Sequence, residues 1–91
     1  GPNAAAVVAA SQMSDAQRNE MIRGMVTRLA DRLKADGSDL EGWQKLLRAY
    51  VVLGDRVQAH AVADEAKKAL ASDPGKLHDI EDVIKTLGLE S

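Results

Sequence analysis

Apolar residues recur along residues 21–33 at helical spacing. Met21, Ile22, Met25, Val26, Leu29, Ala30 and Leu33 follow one another in alternating steps of one and three, which draws a single stripe along a helix. Arg23, Arg28, Asp31 and Arg32 fall off that stripe. Ser14-Asp15-Ala16-Gln17 precedes it in the S-x-x-Q pattern of a capping box, where side chains answer the orphan N–H groups of a first turn. Asp36-Gly37 predicts the stop, with glycine supplying a left-handed cap. A first helix over about 14–36 follows. Ser38-Asp39-Leu40-Glu41 reads as a second capping box, opening a helix over about 39–54 that carries Trp43, Leu46, Leu47, Tyr50, Val51 and Leu53. After the tight Gly54-Asp55 turn, Asp55-Arg56-Val57-Gln58 caps a third helix over about 56–72. Its apolar positions are nearly all small: Ala59, Val62, Ala63, Ala66, Ala69 and Leu70. Small residues on a stripe let a neighbouring helix approach to an interaxial distance of about 8 Å. Asp73-Pro74 is a stop followed by a start, because proline is pre-organised for a first turn. The fourth helix, about 75–88, shows Leu77, Ile80, Val83, Ile84 and Leu87 before Gly88.

The remaining residues, 1–12, are low-complexity and not amphipathic. They read as a linker, with Gly1-Pro2 as a remnant of tag cleavage, so the expected domain is 13–91. The fold class is all-α. Connections this short force consecutive helices antiparallel, which suits a four-helix bundle and a stack of helical hairpins equally. A repeat test separates them. At an offset of 34, Trp43 lands on Leu77, Leu46 on Ile80, Tyr50 on Ile84, Leu53 on Leu87 and Gly54 on Gly88. A period of about 34 residues is that of the tetratricopeptide repeat. Trp43, Leu46, Tyr50, Gly54, Ala59, Ala63 and Ala66 resemble that family's pattern within one repeat. Leu47 stands where the family prefers a small residue, Gly37 where it places a closing proline, and Pro74 comes three residues late. The chain therefore resembles the second helix of one repeat, a complete repeat and a first-helix cap.

Composition removes several functions. Fifteen of the 91 residues are alanine, phenylalanine is absent, and there is one Trp and one Tyr. Twelve basic residues stand against fourteen acidic, for a net charge of −2 without a basic stripe, which disfavours nucleic acid as a partner. The absence of cysteine excludes disulfides, thiol nucleophiles and thiolate metal sites. No apolar run approaches the roughly 20 residues of a membrane span, so the fragment itself is not expected to cross a bilayer. His60 and His78 have no metal-ligand spacing around them and are expected at the surface. Acidic neighbours such as Asp64-Glu65 and Glu81-Asp82 diverge around a helix. No phosphate loop or nucleophile elbow occurs. An enzyme is not expected, and neither is a cofactor.

Binding is the expected function. In stacked hairpins the first helix of each repeat lines the concave face. That puts Glu41, Gln44, Lys45, Arg48, Val51 and Val52 of the second helix on the inside, facing Asp82 and Lys85 of the fourth. A groove of mixed charge with apolar valine suits an amphipathic helix or extended peptide. The Lys/Asn pattern of repeats that clamp a terminal carboxylate is missing, since Gln44 and Arg48 hold those positions. Trp43 and Tyr50 are read as core. A second surface is offered by Met21, Met25 and Leu29, whose helix lacks a first-helix partner. Residues 1–12 or another chain are expected to cover it, giving a possible homo-oligomer through residues 1–33.

A closer resemblance lies in MIRGMV-x-RLA-x-RL, Met21 to Leu33, followed by DG-x-D-x-x-GW, Asp36 to Trp43, and by DPGKLHDIEDVIKTLGL from Asp73. Over about residues 21–89 the chain is similar to the C-terminal periplasmic repeat region of a family of bacterial cytochrome c biogenesis factors, CcmI or CycH. The resemblance implies a chaperone that holds apocytochrome c, chiefly through its C-terminal helix, and delivers it to the haem-ligation machinery. It also implies a membrane-anchored parent with this region on the periplasmic face of the inner membrane. The other readings of the same pattern are a generic solenoid adaptor and a structural oligomerisation module.

Overall fold

A computed structural model describes residues 13–90; residues 1–12, read above as tag remnant and linker, lie outside the described residues. Four helices follow in order: α1 Asp15–Ala35, α2 Leu40–Val52, α3 Arg56–Ala69 and α4 Pro74–Thr86, with no strand among the described residues. The expected all-α architecture of tetratricopeptide-like hairpins is what forms. The repeat register holds at the level of the elements. α4 begins and ends 34 residues after α2, and α3 ends at Ala69, 34 residues after α1 ends at Ala35.

The helix starts are set by side-chain caps. Ser14 Oγ accepts from the Gln17 amide at 3.1 Å and Gln17 Oε1 accepts from the Ser14 amide at 2.9 Å, so both halves of the first box form. At α2 the cap is Asp39, not Ser38: its carboxylate accepts from the Gly42 amide at 3.1 Å. Ser38 turns back instead, its hydroxyl donating to Asp36 Oδ1 at 2.6 Å. The hydrogen bonds from Ser38 hold the Asp36 carboxyl below its ordinary range. Asp55 and Asp73 cap α3 and α4 in the same way, accepting from the Gln58 and Lys76 amides.

Two expectations about helix ends are corrected. Gly37 is not left-handed; only Gly54 and Gly88 have positive φ among the described residues, at 73° and 70°. Gly37 lets α3 come close instead, because a Cβ there would stand 3.1 Å from Ala69 Cβ, a tight contact. The third helix stops at Ala69 rather than 72. Residues 70–72 form the turn that leads into α4, and Asp73, extended before proline with φ −120° and ψ 97°, closes it. Leu70 caps it, and Asp73 N–H donates to the Leu70 carbonyl at 3.0 Å.

The core lies between α2 and its three neighbours, since α2 packs on α1, α3 and α4. Leu33, Leu46, Leu47, Leu70 and Ile80 are fully buried. Each such side chain contributes roughly 1.5–3 kcal/mol when taken out of water. Ala59, Ala63 and Ala66 are buried along α3, whose most extensive packing is against α2, as its small-residue stripe requires. Close approach also joins α1 to α2: a Cβ on Gly42 would stand 2.8 Å from Leu33 Cδ2. Trp43 is buried in this core, and its Nε1 donates to the Gly37 carbonyl at 2.9 Å. Beyond α4, Leu89 is buried as well, its amide donating to the Ile84 carbonyl at 2.9 Å while Arg56 Nη2 donates to the Gly88 carbonyl at 2.8 Å.

Candidate functional site

The apolar stripe of α1 is wider than the neighbour that covers it. Val26 and Leu33 are buried against α2, whereas Ile22, Leu29 and Ala30 are half-buried and Met21 and Met25 remain 42% and 54% exposed. The flank of α1 that no other described helix covers and the adjoining flank of α2 form a groove of about 560 Å³. Its floor is Ile22, Met25, Val26 and Leu29 from α1 and Ala49 from α2. Its walls carry Arg28 and Arg32 on the α1 side and Lys45 on the α2 side. The volume lies within the range of about 300–1,000 Å³ typical of ligand clefts. Arg32 is held in place by Asp39, at 2.9 Å between Nη2 and Oδ2.

Of the eight peptide-binding residues expected from the sequence, Lys45 lines this groove. Glu41 and Arg48 are exposed, Gln44 and Val51 half-buried, and Val52 is 70% exposed, all on α2. Asp82 and Lys85 are exposed on α4, and Asp82 Oδ2 lies 3.4 Å from His78 Nε2. No ion pair among the described residues joins Asp82 or Lys85 to α2. His78 is exposed as expected, while His60 is half-buried.

Met21, Met25 and Leu29 stand out in the sequence as an unpartnered surface, whereas Arg28 and Arg32 fall off the apolar stripe. Their signal was available: they are four residues apart and adjoin Leu29, which places them on one edge of the same stripe. A smaller cleft of about 140 Å³ between α1, α2 and α3 is lined in part by Lys34, Trp43, Tyr50 and Glu65. Partial burial there raises the Tyr50 phenol above its ordinary pKa, with Asp55 and Glu65 adding to the effect. No cluster of metal-ligating side chains occurs among the described residues, and no described helix is long and apolar enough to cross a membrane.

No protein-family model matches the chain, and no solved structure does. The chain is 45% identical over 84 residues to the cytochrome c-type biogenesis protein CycH of Bradyrhizobium diazoefficiens, a match that covers 92% of this chain and 23% of the relative. It is 36% identical over 85 residues to CycH of Rhizobium meliloti, covering 93% of this chain and 22% of the relative. The chain thus spans less than a quarter of the length of the curated relatives it matches. Both matches take in the α1 stripe and the Asp36–Trp43 turn that carry the resemblance, since each extends over more than nine-tenths of the chain. By this measure the chain is a homologue of one segment of the cytochrome c-type biogenesis protein CycH.

Proposed function

We propose that this chain is a non-catalytic protein–protein interaction module acting in cytochrome c maturation, where it holds apocytochrome c through its C-terminal helix. The observation that carries the reading is the groove between α1 and α2, an open apolar trough of about 560 Å³ with cationic walls, on a homologue of CycH. Laying an amphipathic helix into such a trough buries one apolar face on each side and leaves the polar faces in water. The α2 face formed by Glu41, Gln44, Lys45, Arg48, Val51 and Val52, of which Gln44 and Val51 are half-buried, extends the contact together with Asp82 and Lys85 on α4. In the parent protein the module works on the periplasmic face of the inner membrane and passes its client to the haem-ligation machinery.

Titration calorimetry with a C-terminal apocytochrome c peptide and a scrambled control tests this. The peptide binds weakly, on the order of micromolar or poorer, or at most about −8 kcal/mol, and the scrambled one does not bind. Arg48→Glu weakens binding more than Glu65→Lys on α3. Equal losses from both substitutions would remove the α2 face from the contact, and binding by neither peptide would remove the function.

A further inference from the structure

The groove has a place in the repeat register that the described chain leaves empty. α1 from Ile22 to Ala35 matches α3 at the offset of 34, so α1 is a second helix. In a tetratricopeptide-like hairpin a second helix packs antiparallel against the first helix of its own repeat. Counted back from α2, that first helix would cover residues 6–18. The Ser14 capping box instead starts α1 at Asp15, seven residues ahead of the register, so residues 15–18 of that span already belong to α1. The seat of a first helix is then the uncovered side of α1 beside α2, which is where the groove lies.

The groove also has a chemistry. Its charged lining is Arg28, Arg32 and Lys45, with no carboxylate, on a chain whose net charge is −2. Arg32 is paired with Asp39, whereas Arg28 and Lys45 form no ion pair among the described residues. Arg28 lines the groove from α1 and Lys45 lines it from α2. Residues 1–12 carry no acidic side chain, so they offer no carboxylate to either wall. Met25, 54% exposed in the lining of the groove, is a side chain that adapts to varied apolar surfaces.

We propose that the α1–α2 groove takes an acidic amphipathic helix from a partner protein, which occupies the seat of a first helix beside α1 and runs antiparallel to α1. Its apolar stripe lies on Ile22, Met25 and Leu29, and carboxylates on both flanks of that stripe meet Arg28 on one wall and Lys45 on the other. This deepens the proposed function and rests on it, by naming the chemistry of the helix that is held.

Methyl-labelled protein is titrated with synthetic helical peptides: a leucine stripe flanked by glutamate, and the same stripe flanked by lysine. The glutamate-flanked helix shifts the Ile22 and Met25 methyl signals and binds about tenfold tighter than its lysine counterpart. That gap narrows as salt rises. The double variant Arg28→Glu, Lys45→Glu, with unchanged helical circular dichroism, reverses the preference. Equal affinity for both helices overturns the proposal. So do methyl shifts confined to Val52 and Val51, concentration-dependent shifts without peptide, which give the groove to a second copy, or contacts from residues 1–12 to Met25. If the glutamate-flanked helix binds and the apocytochrome peptide does not, the groove assignment stands and the cytochrome reading falls. If the apocytochrome peptide binds without competing with the glutamate-flanked helix, the cytochrome reading stands and the groove is not its site.

Discussion

Lys76 reaches across 38 residues of sequence to Ser38, its Nζ donating to the Ser38 carbonyl oxygen at 2.9 Å. The start of α4 is thereby tied to the turn between α1 and α2. Its far end is tied by Arg56, which donates to the Gly88 carbonyl at 2.8 Å. Both ties end on backbone carbonyls, so they depend on the path of the chain rather than on a second side chain. Arg56→Ala is expected to cost about 0.5–1.5 kcal/mol and to raise amide exchange at Leu89 before the rest of α4. Hydrogen-exchange mass spectrometry of the last turn checks this. Uniform exchange across α4 would show that the tie adds nothing.

Asp39 has two duties that substitution can separate. Its carboxylate caps α2 and also pairs with Arg32. Asp39→Asn keeps an acceptor for the Gly42 amide and loses only an ion pair whose side chains are substantially exposed. A loss of about 0.2–1 kcal/mol is expected. Asp39→Ala removes the cap as well and is expected to cost about 1–2 kcal/mol. Urea denaturation of the two variants compares them, and equal midpoints would place all of the effect in the ion pair.

Ala59 is fully buried on α3, which packs against α2. Ala59→Leu forces extra methyl groups into that interface and is expected to destabilise the fold by roughly 1–3 kcal/mol. A thermal melt unchanged by the substitution would contradict the packing.

The raised pKa of Tyr50 gives stability a defined alkaline limit. Burial favours the neutral phenol, so the folded state holds its proton to higher pH than the unfolded chain does. The associated stability is complete below the ordinary phenol pKa of about 10 and is lost as pH rises through the folded value. Melting temperature is expected to fall in that window for the natural chain and to fall less for Tyr50→Phe. The phenolate absorbance should titrate above the value of a free tyrosine. A midpoint at or below that value would remove the prediction.

Much of the fold was legible because local chemistry and the apolar period agree. Ser14-x-x-Gln17 forms both halves of its box, and Asp55 and Asp73 start their helices where the stripes begin. Position 38 misled because serine and aspartate are adjacent and both can cap; which one does so is decided by the Asp36–Ser38 hydrogen bonds in the turn. Gly37 misled because a glycine after a helix suggests positive φ, whereas here it makes room for Ala69 from a helix 32 residues away. Distances of that kind are set by packing and leave no local mark. The groove was half legible. Unmatched methionines on α1 were visible, but its cationic walls need α1 and α2 together, and Lys45 was assigned to a different face.

Trp43 is the one tryptophan of the chain, and it sits in the core with Nε1 already bonded to the Gly37 carbonyl. Its indole is absent from the lining of the α1–α2 groove. The protein therefore carries an internal fluorophore that reports on the closure of α1 against α2 and stays silent to an occupant of the groove. Emission that moves toward longer wavelength marks the opening of the hairpin, and emission that holds steady during a titration marks a ligand received without opening it.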